Sequence, residues 1–228
     1  MDLITKLRET RFEKTPAAVT LKSKKFISSA SMSPYNAEIS AGSLLILESK
    51  RVAALLLTTP DEAAWRQAIE VDNLLQKKTP ATARRQATLI RKRLTTLEAK
   101  AWEMVVDREH EVVTQLLLAA AVKHSQLLGD FMRLVYADRQ RRLESALAPI
   151  DWQDFLAECV HRDAAVAGWS NATKAKLFQV VVRILAEAKY LESSRSMKLS
   201  PRSLHPDVQR YLRSHGESHV LECLERTQ

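Results

Sequence analysis

The end of the chain carries three residues of types that bind zinc. His215, His219 and Cys223 follow one another at every fourth position, so a single helical face would present all three. At a rise of about 1.5 Å per residue, however, the first and the last lie about 12 Å apart along the helix axis, too far to share one tetrahedral ion. The spacing therefore predicts an ordinary helix, and the sequence implies no metal ion or other cofactor.

A nuclease is the enzyme that the acidic residues best allow. Pro60-Asp61 and Glu98-Ala99-Lys100 superficially match the scattered acidic and lysine positions of a common restriction-type site. That chemistry needs carboxylates held together on a divalent metal ion, usually from adjacent strands. Both pieces here have the pattern of helix ends, and the chain has no glycine-rich phosphate loop. The sequence therefore favours a protein that is not an enzyme.

The strongest chemical signal is positive charge between positions 73 and 97. These 25 residues include seven Lys or Arg and no acidic residue. A surface with so many like charges favours a polyanion such as nucleic acid, although a basic helix face can also serve only to keep a surface soluble. The candidate DNA-contacting residues are Lys77, Lys78, Arg84, Arg85, Arg91, Lys92 and Arg93.

A helix must position these charges. Thr79-Pro80 predicts its start, because a threonine hydroxyl caps free backbone amides and proline is tolerated in the first turn. At 100° per residue one stripe is apolar and the other side is basic, with Arg93 fitting the basic side less cleanly. No acidic residue lies four positions away to compensate the charges. The apolar stripe consists of Ala83, Ala87, Ile90, Leu94 and Leu97.

A second predicted helix precedes the basic one. Thr59-Pro60-Asp61-Glu62 has the pattern of a capping box, and a short turn that contains Lys77 and Lys78 follows that helix. Helix, turn and basic helix together have the outline of a helix-turn-helix. Gln86 and Thr88 are the only polar uncharged residues expected on its exposed arc, so hydrogen bonding to base edges should be weak.

An amphipathic helix pattern begins at Ser43, and its apolar stripe is interrupted by Glu48. A carboxylate on an apolar face is unfavourable unless it has a partner. We therefore expect Glu48 to be buried against an arginine or against backbone amides.

The last third of the chain repeats a helix, turn and helix pattern. Two short extended pieces around the turn at Arg195 would form a β-wing near residues 190–199, and the alternative is an ordinary helical hairpin with a loop. A second cationic patch is expected there, formed by Lys174, Lys176, Arg195 and Lys198.

Composition limits the fold and the compartment. The 228-residue chain is 46% hydrophobic and contains only four glycines, which predicts an all-α protein, mainly a helical bundle. We divide it into a basic extension (1–33), a helical domain with the basic helix-turn-helix-like element (34–147) and a C-terminal, winged-helix-like or hairpin module (148–228). No apolar run suffices to cross a membrane. Two cysteines without a secretory signal indicate a reduced, cytoplasmic protein.

A series of short pieces between about Tyr35 and Val208 stands in a distinctive order and spacing. They are Tyr35, Ala41-Gly42-Ser43-Leu44-Leu45, Glu48, Trp65, Asp72-Asn73-Leu74-Leu75-Gln76, Ala81-Thr82-Ala83-Arg84-Arg85, Leu89-Ile90-Arg91-Lys92-Arg93-Leu94, Gln115-Leu116-Leu117, Asp130-Phe131, Trp152, Phe155 and the helix from Lys176-Leu177 to Ile184-Leu185. Taken in order, these pieces resemble the BrxA family of BREX (bacteriophage exclusion) systems. The resemblance implies a small, non-enzymatic, all-helical protein that binds double-stranded DNA and works with the other BREX proteins in phage resistance.

The main alternative function is that of a protein-interaction adaptor within the defence complex, or of an RNA binder. Phosphate contacts carry no base identity, so the sequence alone leaves these alternatives open.

Overall fold

A computed structural model describes residues 34–225 of the protein. This part of the chain is helical and forms no strand, so the predicted all-α fold is confirmed. The basic extension predicted for residues 1–33 lies outside the described residues. The α-helices are α1 (Ile46–Leu57), α2 (Glu62–Arg66), α3 (Pro80–Leu94), α4 (Ala99–Asp107), α5 (His110–His124), α6 (Gln126–Asp130), α7 (Ala137–Arg141), α8 (Pro149–Arg162), α9 (Asn171–Glu187), α10 (Pro206–Ser214) and α11 (Ser218–Leu224).

Short non-α helices connect several of these elements. A 3₁₀ helix, Glu38–Ala41, precedes α1, and another, Ala164–Gly168, lies between α8 and α9. A π-helical turn, Gln67–Val71, continues α2. A second π-helical segment, Phe131–Tyr136, joins α6 to α7.

Helix α5 forms the centre of the fold. Every residue from Val112 to Val122 is buried, which is the pattern of a helix covered on all sides rather than along one stripe. It packs against α1, α3, α4, α6, α10 and α11, so one helix connects early and late elements of the chain. Among the described residues, no helix is both long and apolar enough to span a membrane.

An aromatic cluster joins the segments on either side of Ala148-Pro149. The ring centroid of Phe131 lies 5.4 Å from that of Trp152 and 5.3 Å from that of Phe155, both edge to face. Buried residues from both segments belong to one hydrophobic core. At the start of α8 the Asp151 carboxylate accepts a hydrogen bond from the amide of Ala148 (2.8 Å).

The segment predicted as a β-wing takes a different form. Leu191 and Leu199 form one isolated antiparallel bridge, and Lys198 forms another with Ala146, the chain just before α8. Hydrogen bonds from Glu192 N to Lys198 O (2.9 Å) and from Ser200 N to Tyr190 O (2.9 Å) flank the first bridge, but the pairing is not extended into a ladder, and Met197 has a φ of 49°. In the described part of the chain the wing is thus replaced by an exposed turn fixed to residues 145–147.

Candidate nucleic-acid interface

Helix α3 begins and packs as the sequence predicts. The Thr79 hydroxyl accepts a hydrogen bond from the amide of Thr82 (3.2 Å), and Pro80 occupies the first turn. The predicted apolar stripe of α3 is confirmed, because all five of its residues are buried: Ala83, Ala87, Ile90, Leu94 and Leu97.

Helix α2 differs in its cap. Asp61, rather than Thr59, stands at the cap position, and its carboxylate accepts a hydrogen bond from the amide of Ala64 (2.7 Å). Thr59 instead adopts a positive φ of 49° in the turn before the helix. The order of helix, turn and helix is that of the prediction, while a helix-turn-helix mode of DNA binding stays a prediction.

The basic side chains of α3 stand in two rows on the side opposite the buried stripe. Arg84 and Arg91 form one row, and Arg85 and Lys92 form the other. Members of a row are seven residues apart, which corresponds to about 10.5 Å along the axis. At 100° per residue the rows are separated by about 100° around the helix. Together they form a continuous surface, which we call the α3 cationic face.

Small side chains fill the strip between the rows. Ala81, Thr88 and Thr95 recur at every seventh position and are exposed. The hydroxyl of Thr88 donates to the carbonyl of Arg84 (2.8 Å), and that of Thr95 to the carbonyl of Arg91 (2.8 Å). The two hydroxyl protons are therefore already engaged in hydrogen bonds within the helix. Because the side chains of the strip are short, a ligand can reach both rows of basic residues.

A groove of about 630 Å³ runs along the first row, between α3 and the helix formed by α2 and its π-helical turn. The guanidinium carbon of Arg91 lies 4.4 Å from the centre of the Trp65 ring in the groove wall, a cation–π contact. Arg66 is exposed and lines the same groove, although it was not among the predicted contacts. Its outward direction follows from the burial of Trp65 and Ile69, so the helical periodicity of this segment was a signal that could have identified it.

Carboxylates from other elements pair with three of the α3 cations. Sequence spacing within α3 indicated uncompensated charge, and this expectation is wrong because the compensation is tertiary. The pairs and their N–O distances are Arg84–Glu70 (3.2 Å), Arg91–Glu62 (3.4 Å) and Lys92–Glu38 (2.9 Å). Within residues 34–225, Arg66, Lys78 and Arg85 have no such acidic partner.

The turn before α3 is held from both sides. Asn73, with a φ of 50°, accepts a hydrogen bond from the amide of Lys77 (2.9 Å) and donates one to its carbonyl (3.0 Å). From α1, Arg51 donates to the carbonyl of Leu74 (3.1 Å) and to the side chain of Gln76 (3.0 Å). These bonds fix the position of α3 relative to α1.

Lys77 also belongs to this anchor, because its ammonium group pairs with the Glu48 carboxylate. Burial acts to raise the pKa of Glu48, but the hydrogen bond from Lys77, a backbone hydrogen bond and the charge of Arg51 outweigh it, so the pKa lies below its usual value. Only 19% of the Glu48 side chain and 20% of the Lys77 side chain are exposed. The expected partner of Glu48 is thus a lysine rather than an arginine, and Glu48 is half-buried rather than buried.

Arg93 departs from the predicted cationic face. It is only 4% exposed, and its guanidinium donates to the carbonyls of Ser43 and Gly42 (3.0 Å to Gly42). Burial lowers its pKa to about 10, against the opposing effect of the Glu187 charge. Arg93 therefore connects α3 to the start of α1 and is removed from the set of phosphate-contacting candidates. Gln86 also faces inward, with a buried side-chain oxygen, so it does not belong to the exposed arc.

The basic residues of the C-terminal part lie on two elements, α9 and the turn that follows it. Lys174 lines an apolar groove of about 580 Å³ between α8 and α9, together with Trp152 and Phe178. Lys176 is two positions further along α9, about 200° around the helix, so the two lysines face different sides of α9. In the exposed turn, the Nζ atom of Lys198 lies 3.8 Å from a carboxylate oxygen of Glu192, and Arg195 is exposed. A joint cationic patch of these residues stays a prediction.

The residues considered for a nuclease or zinc site have structural roles in the fold. Asp61 caps α2 and Glu98 stands at the cap position of α4, so both lie at helix ends as predicted. The ring of His215 packs against that of Tyr211, with the centroids 4.2 Å apart and the planes tilted by 31°. Cys223 is buried and its thiol donates to the carbonyl of Gly129 (3.4 Å). In the part of the chain that the structure describes, no group of His, Cys, Asp or Glu side chains is arranged to hold a metal ion.

Comparison with known proteins identifies close relatives. The family model described as BrxA matches residues 33–216. The protein named BREX protein BrxA in Paramagnetospirillum magneticum (strain ATCC 700264 / AMB-1) is 41% identical over 191 residues, which cover 84% of this chain and 96% of that protein. The protein of the same name in Escherichia coli O9:H4 (strain HS) is 34% identical over 188 residues, 82% of this chain and 88% of that one. A crystal structure of an uncharacterized protein from Magnetospirillum magneticum superposes with a TM-score of 0.79 at 39% identity, over 85% of this chain and 100% of that chain.

Proposed function

This chain belongs to the BrxA family of BREX phage-defence proteins, and we propose that it is a non-enzymatic component that binds double-stranded DNA in the cytoplasm together with other BREX proteins. The observation that carries the proposal is the α3 cationic face, with its two basic rows and the low strip between them. The proposed phosphate-contacting groups are Lys78, Arg84, Arg85, Arg91 and Lys92, with Arg66 added from the groove wall.

Contacts to phosphate, rather than to bases, are what these side chains support. Guanidinium and ammonium groups form charge-assisted hydrogen bonds to phosphate oxygens, and such contacts are the same for every sequence. Between the rows, Thr88 and Thr95 already donate their hydroxyl protons to α3 carbonyls. Few groups remain to distinguish one base pair from another, so binding should be largely independent of sequence.

Salt dependence tests the proposal. If about four to six phosphates are neutralised, log K for a labelled duplex should fall against log salt with a slope of roughly −4 to −5. Replacing Arg84 and Arg85 by Ala should reduce that slope by about 1 to 2 units, because up to two phosphate contacts are lost. The variant should stay folded, since both side chains point away from the core. The matched control is Arg141→Ala with Arg142→Ala, an exposed consecutive pair at the end of α7 with the same change in charge. An affinity that is flat with salt, or a strong preference for one sequence over a scrambled duplex, would contradict the proposal.

The alternative is an adaptor that meets an acidic protein, or RNA, through the same surface. The mixed charges of the α3 surroundings favour it, because Glu38, Glu62 and Glu70 could pair with basic groups of a partner protein. A panel of duplex DNA, single-stranded DNA and RNA at one salt concentration separates these functions. Preferential binding of duplex DNA supports the proposal. Preferential binding of RNA would mean that RNA is the ligand instead of DNA. Failure to bind any of the three nucleic acids supports the adaptor.

A further inference from the structure

The three carboxylates beside the α3 cationic face come from three separate elements. Glu70 belongs to the π-helical turn after α2, Glu62 to the first turn of α2, and Glu38 to the 3₁₀ helix before α1. Glu62 and Glu70 pair with the row of Arg84 and Arg91, whereas Glu38 pairs with the other row. Both rows are therefore met by carboxylates from outside α3.

These carboxylates stand where a ligand's phosphates would stand. The N–O distance of the Lys92–Glu38 pair (2.9 Å) is that of a charge-assisted contact to a phosphate oxygen, and the Arg84–Glu70 and Arg91–Glu62 pairs are longer, at 3.2 and 3.4 Å. A phosphate that binds Arg84, Arg91 or Lys92 in the same geometry must displace the carboxylate or share the cation with it.

Most members of the three pairs are well exposed. The exposed fraction of the side chain is 62% for Arg84, 50% for Lys92, 71% for Glu62 and 45% for Glu38, and it is lower for Arg91 (39%) and Glu70 (28%). Exposed ion pairs contribute little to stability because water screens them and the side chains lose freedom. The half-buried pair of Lys77 and Glu48 is a different case, since it anchors the turn before α3. The exposed pairs can accordingly open at little cost to the fold, although Glu38 also contacts His124 (3.2 Å between Nε2 and a carboxylate oxygen).

We propose that Glu38, Glu62 and Glu70 act as an internal screen that occupies the α3 cationic face in the free protein and is displaced by the phosphates of duplex DNA. This inference rests on the proposed function. The screen weakens binding to isolated anions, since a single phosphate competes with a carboxylate that is already tethered nearby. A duplex presents several phosphates together and so displaces the three carboxylates at once. The screen therefore lowers affinity for single anions by the cost of one displacement and affinity for a duplex by the combined cost of all three.

The test compares two triple variants that remove the same amount of negative charge. The first variant is Glu38→Gln with Glu62→Gln and Glu70→Gln. The control is Glu103→Gln with Glu158→Gln and Glu192→Gln, three exposed carboxylates on α4, α8 and the turn after α9. Affinity for a labelled duplex is measured for both variants and the wild type from low to physiological salt, with melting temperatures recorded.

The screen variant should bind the duplex about 2- to 5-fold more tightly for each carboxylate removed, and the gain should persist at physiological salt because the displaced contacts are local. The control should gain only at low salt, where distant charges act over a Debye length of about 30 Å instead of about 8 Å. Inorganic phosphate at millimolar concentration should compete with the duplex better in the screen variant than in the wild type.

Two outcomes separate the inference from the function on which it rests. If the wild type binds duplex and the screen variant equals the control at physiological salt, the screen is overturned while the proposed function stands. If neither protein binds duplex, both are overturned. Should the triple variant melt at a lower temperature, Glu62→Gln alone gives the same test, because its side chain is 71% exposed, with Glu103→Gln as its control.

Discussion

Two regions of the chain are rich in basic residues, and the structure treats them differently. On α3, Arg84, Arg85 and Lys92 lie on one side because a single apolar stripe fixes the opposite side in the core. In the C-terminal region, Lys174 and Lys176 lie on different sides of α9, and Arg195 belongs to a separate turn. The number of basic residues therefore says little about a surface, whereas their phase relative to a buried stripe decides whether they act together.

The two regions also differ in the contacts that hold them in the fold. Helix α3 is tied to the chain just before α1 by Arg93 and to α1 itself by the Lys77–Glu48 pair. The turn around Arg195 is held at its base by backbone hydrogen bonds, such as Leu147 N to Met197 O (3.0 Å) and Glu192 N to Lys198 O (2.9 Å), and Arg195 itself is exposed. A rigid support keeps charges at constant spacing, which matters for contacts to several phosphates at once. This difference predicts unequal contributions to DNA binding.

The largest expected effect comes from reversing charge in each region. Arg84→Glu with Arg85→Glu should weaken duplex binding by roughly 100-fold at moderate salt, since two phosphate contacts are lost and repulsion is added. Lys174→Glu with Arg195→Glu makes the same change in net charge and should weaken binding by only about 3-fold or less. Fluorescence anisotropy with one labelled duplex measures both, and melting temperatures should stay close to that of the wild type.

The comparison between the regions fails if the two double variants bind alike. Equal losses would mean that net charge alone governs binding, and a larger loss at Lys174 and Arg195 would move the main DNA surface to the C-terminal region.

A second experiment separates the outer arginines of α3 from the inner one. Arg93→Met keeps the length of the side chain but removes the buried charged donor to Gly42 and Ser43, so the free energy of unfolding should fall by about 2 kcal/mol. Arg85→Met removes an exposed charge and should change stability by less than about 0.5 kcal/mol. Chemical denaturation measures these values.

DNA binding should show the opposite pattern for the same two variants. The salt slope should fall by about 1 unit for Arg85→Met and stay at the wild-type value for Arg93→Met, measured well below its melting temperature. A reduced slope for Arg93→Met with intact structure would return Arg93 to the DNA-contacting set.

The features of α3 that the sequence predicted correctly are those that depend on residues close together in the chain. The Thr79 cap and the stripe through Ala83 and Ile90 depend on residues within one helix, and propensity and periodicity are sufficient to find them. The burial of Arg93 depends on Gly42 and Ser43, about fifty positions earlier, and no periodic pattern reports such a contact. The ion pair of Lys92 with Glu38 has the same origin.

The prediction of a β-wing was wrong for a related reason. The extended pieces at Leu191 and Leu199 were real, but their further partner is Ala146, on the other side of α8 and α9 in the sequence. A hairpin prediction considers only neighbours along the chain. The second piece is thus shared between Ala146, which pairs with Lys198, and Leu191, which pairs with Leu199, and isolated bridges form instead of a ladder.

The smallest expected effect concerns pH and again distinguishes α3 from the C-terminal region. His124, at the end of α5, lies behind α3 with its Nε2 atom 3.2 Å from Glu38, while its Nδ1 atom is buried and, within the described part of the chain, without a hydrogen-bond partner. Burial lowers the pKa of His124, as do the charges of Arg93 and Lys92, and the charge of Glu38 only partly opposes them. The neutral imidazole is therefore the form that the folded protein prefers.

The sign of the pH dependence follows from this lowered pKa. As the pH falls below about 6.5, the unfolded chain takes up a proton at His124 before the folded protein does, so the stability present above that pH is progressively lost as the pH falls towards the folded pKa. His124→Gln should flatten the change in melting temperature between pH 7 and pH 5. The control is His161→Gln, an exposed histidine in the last turn of α8. If His161→Gln flattens the profile as much as His124→Gln does, the acid sensitivity does not come from the groups behind α3.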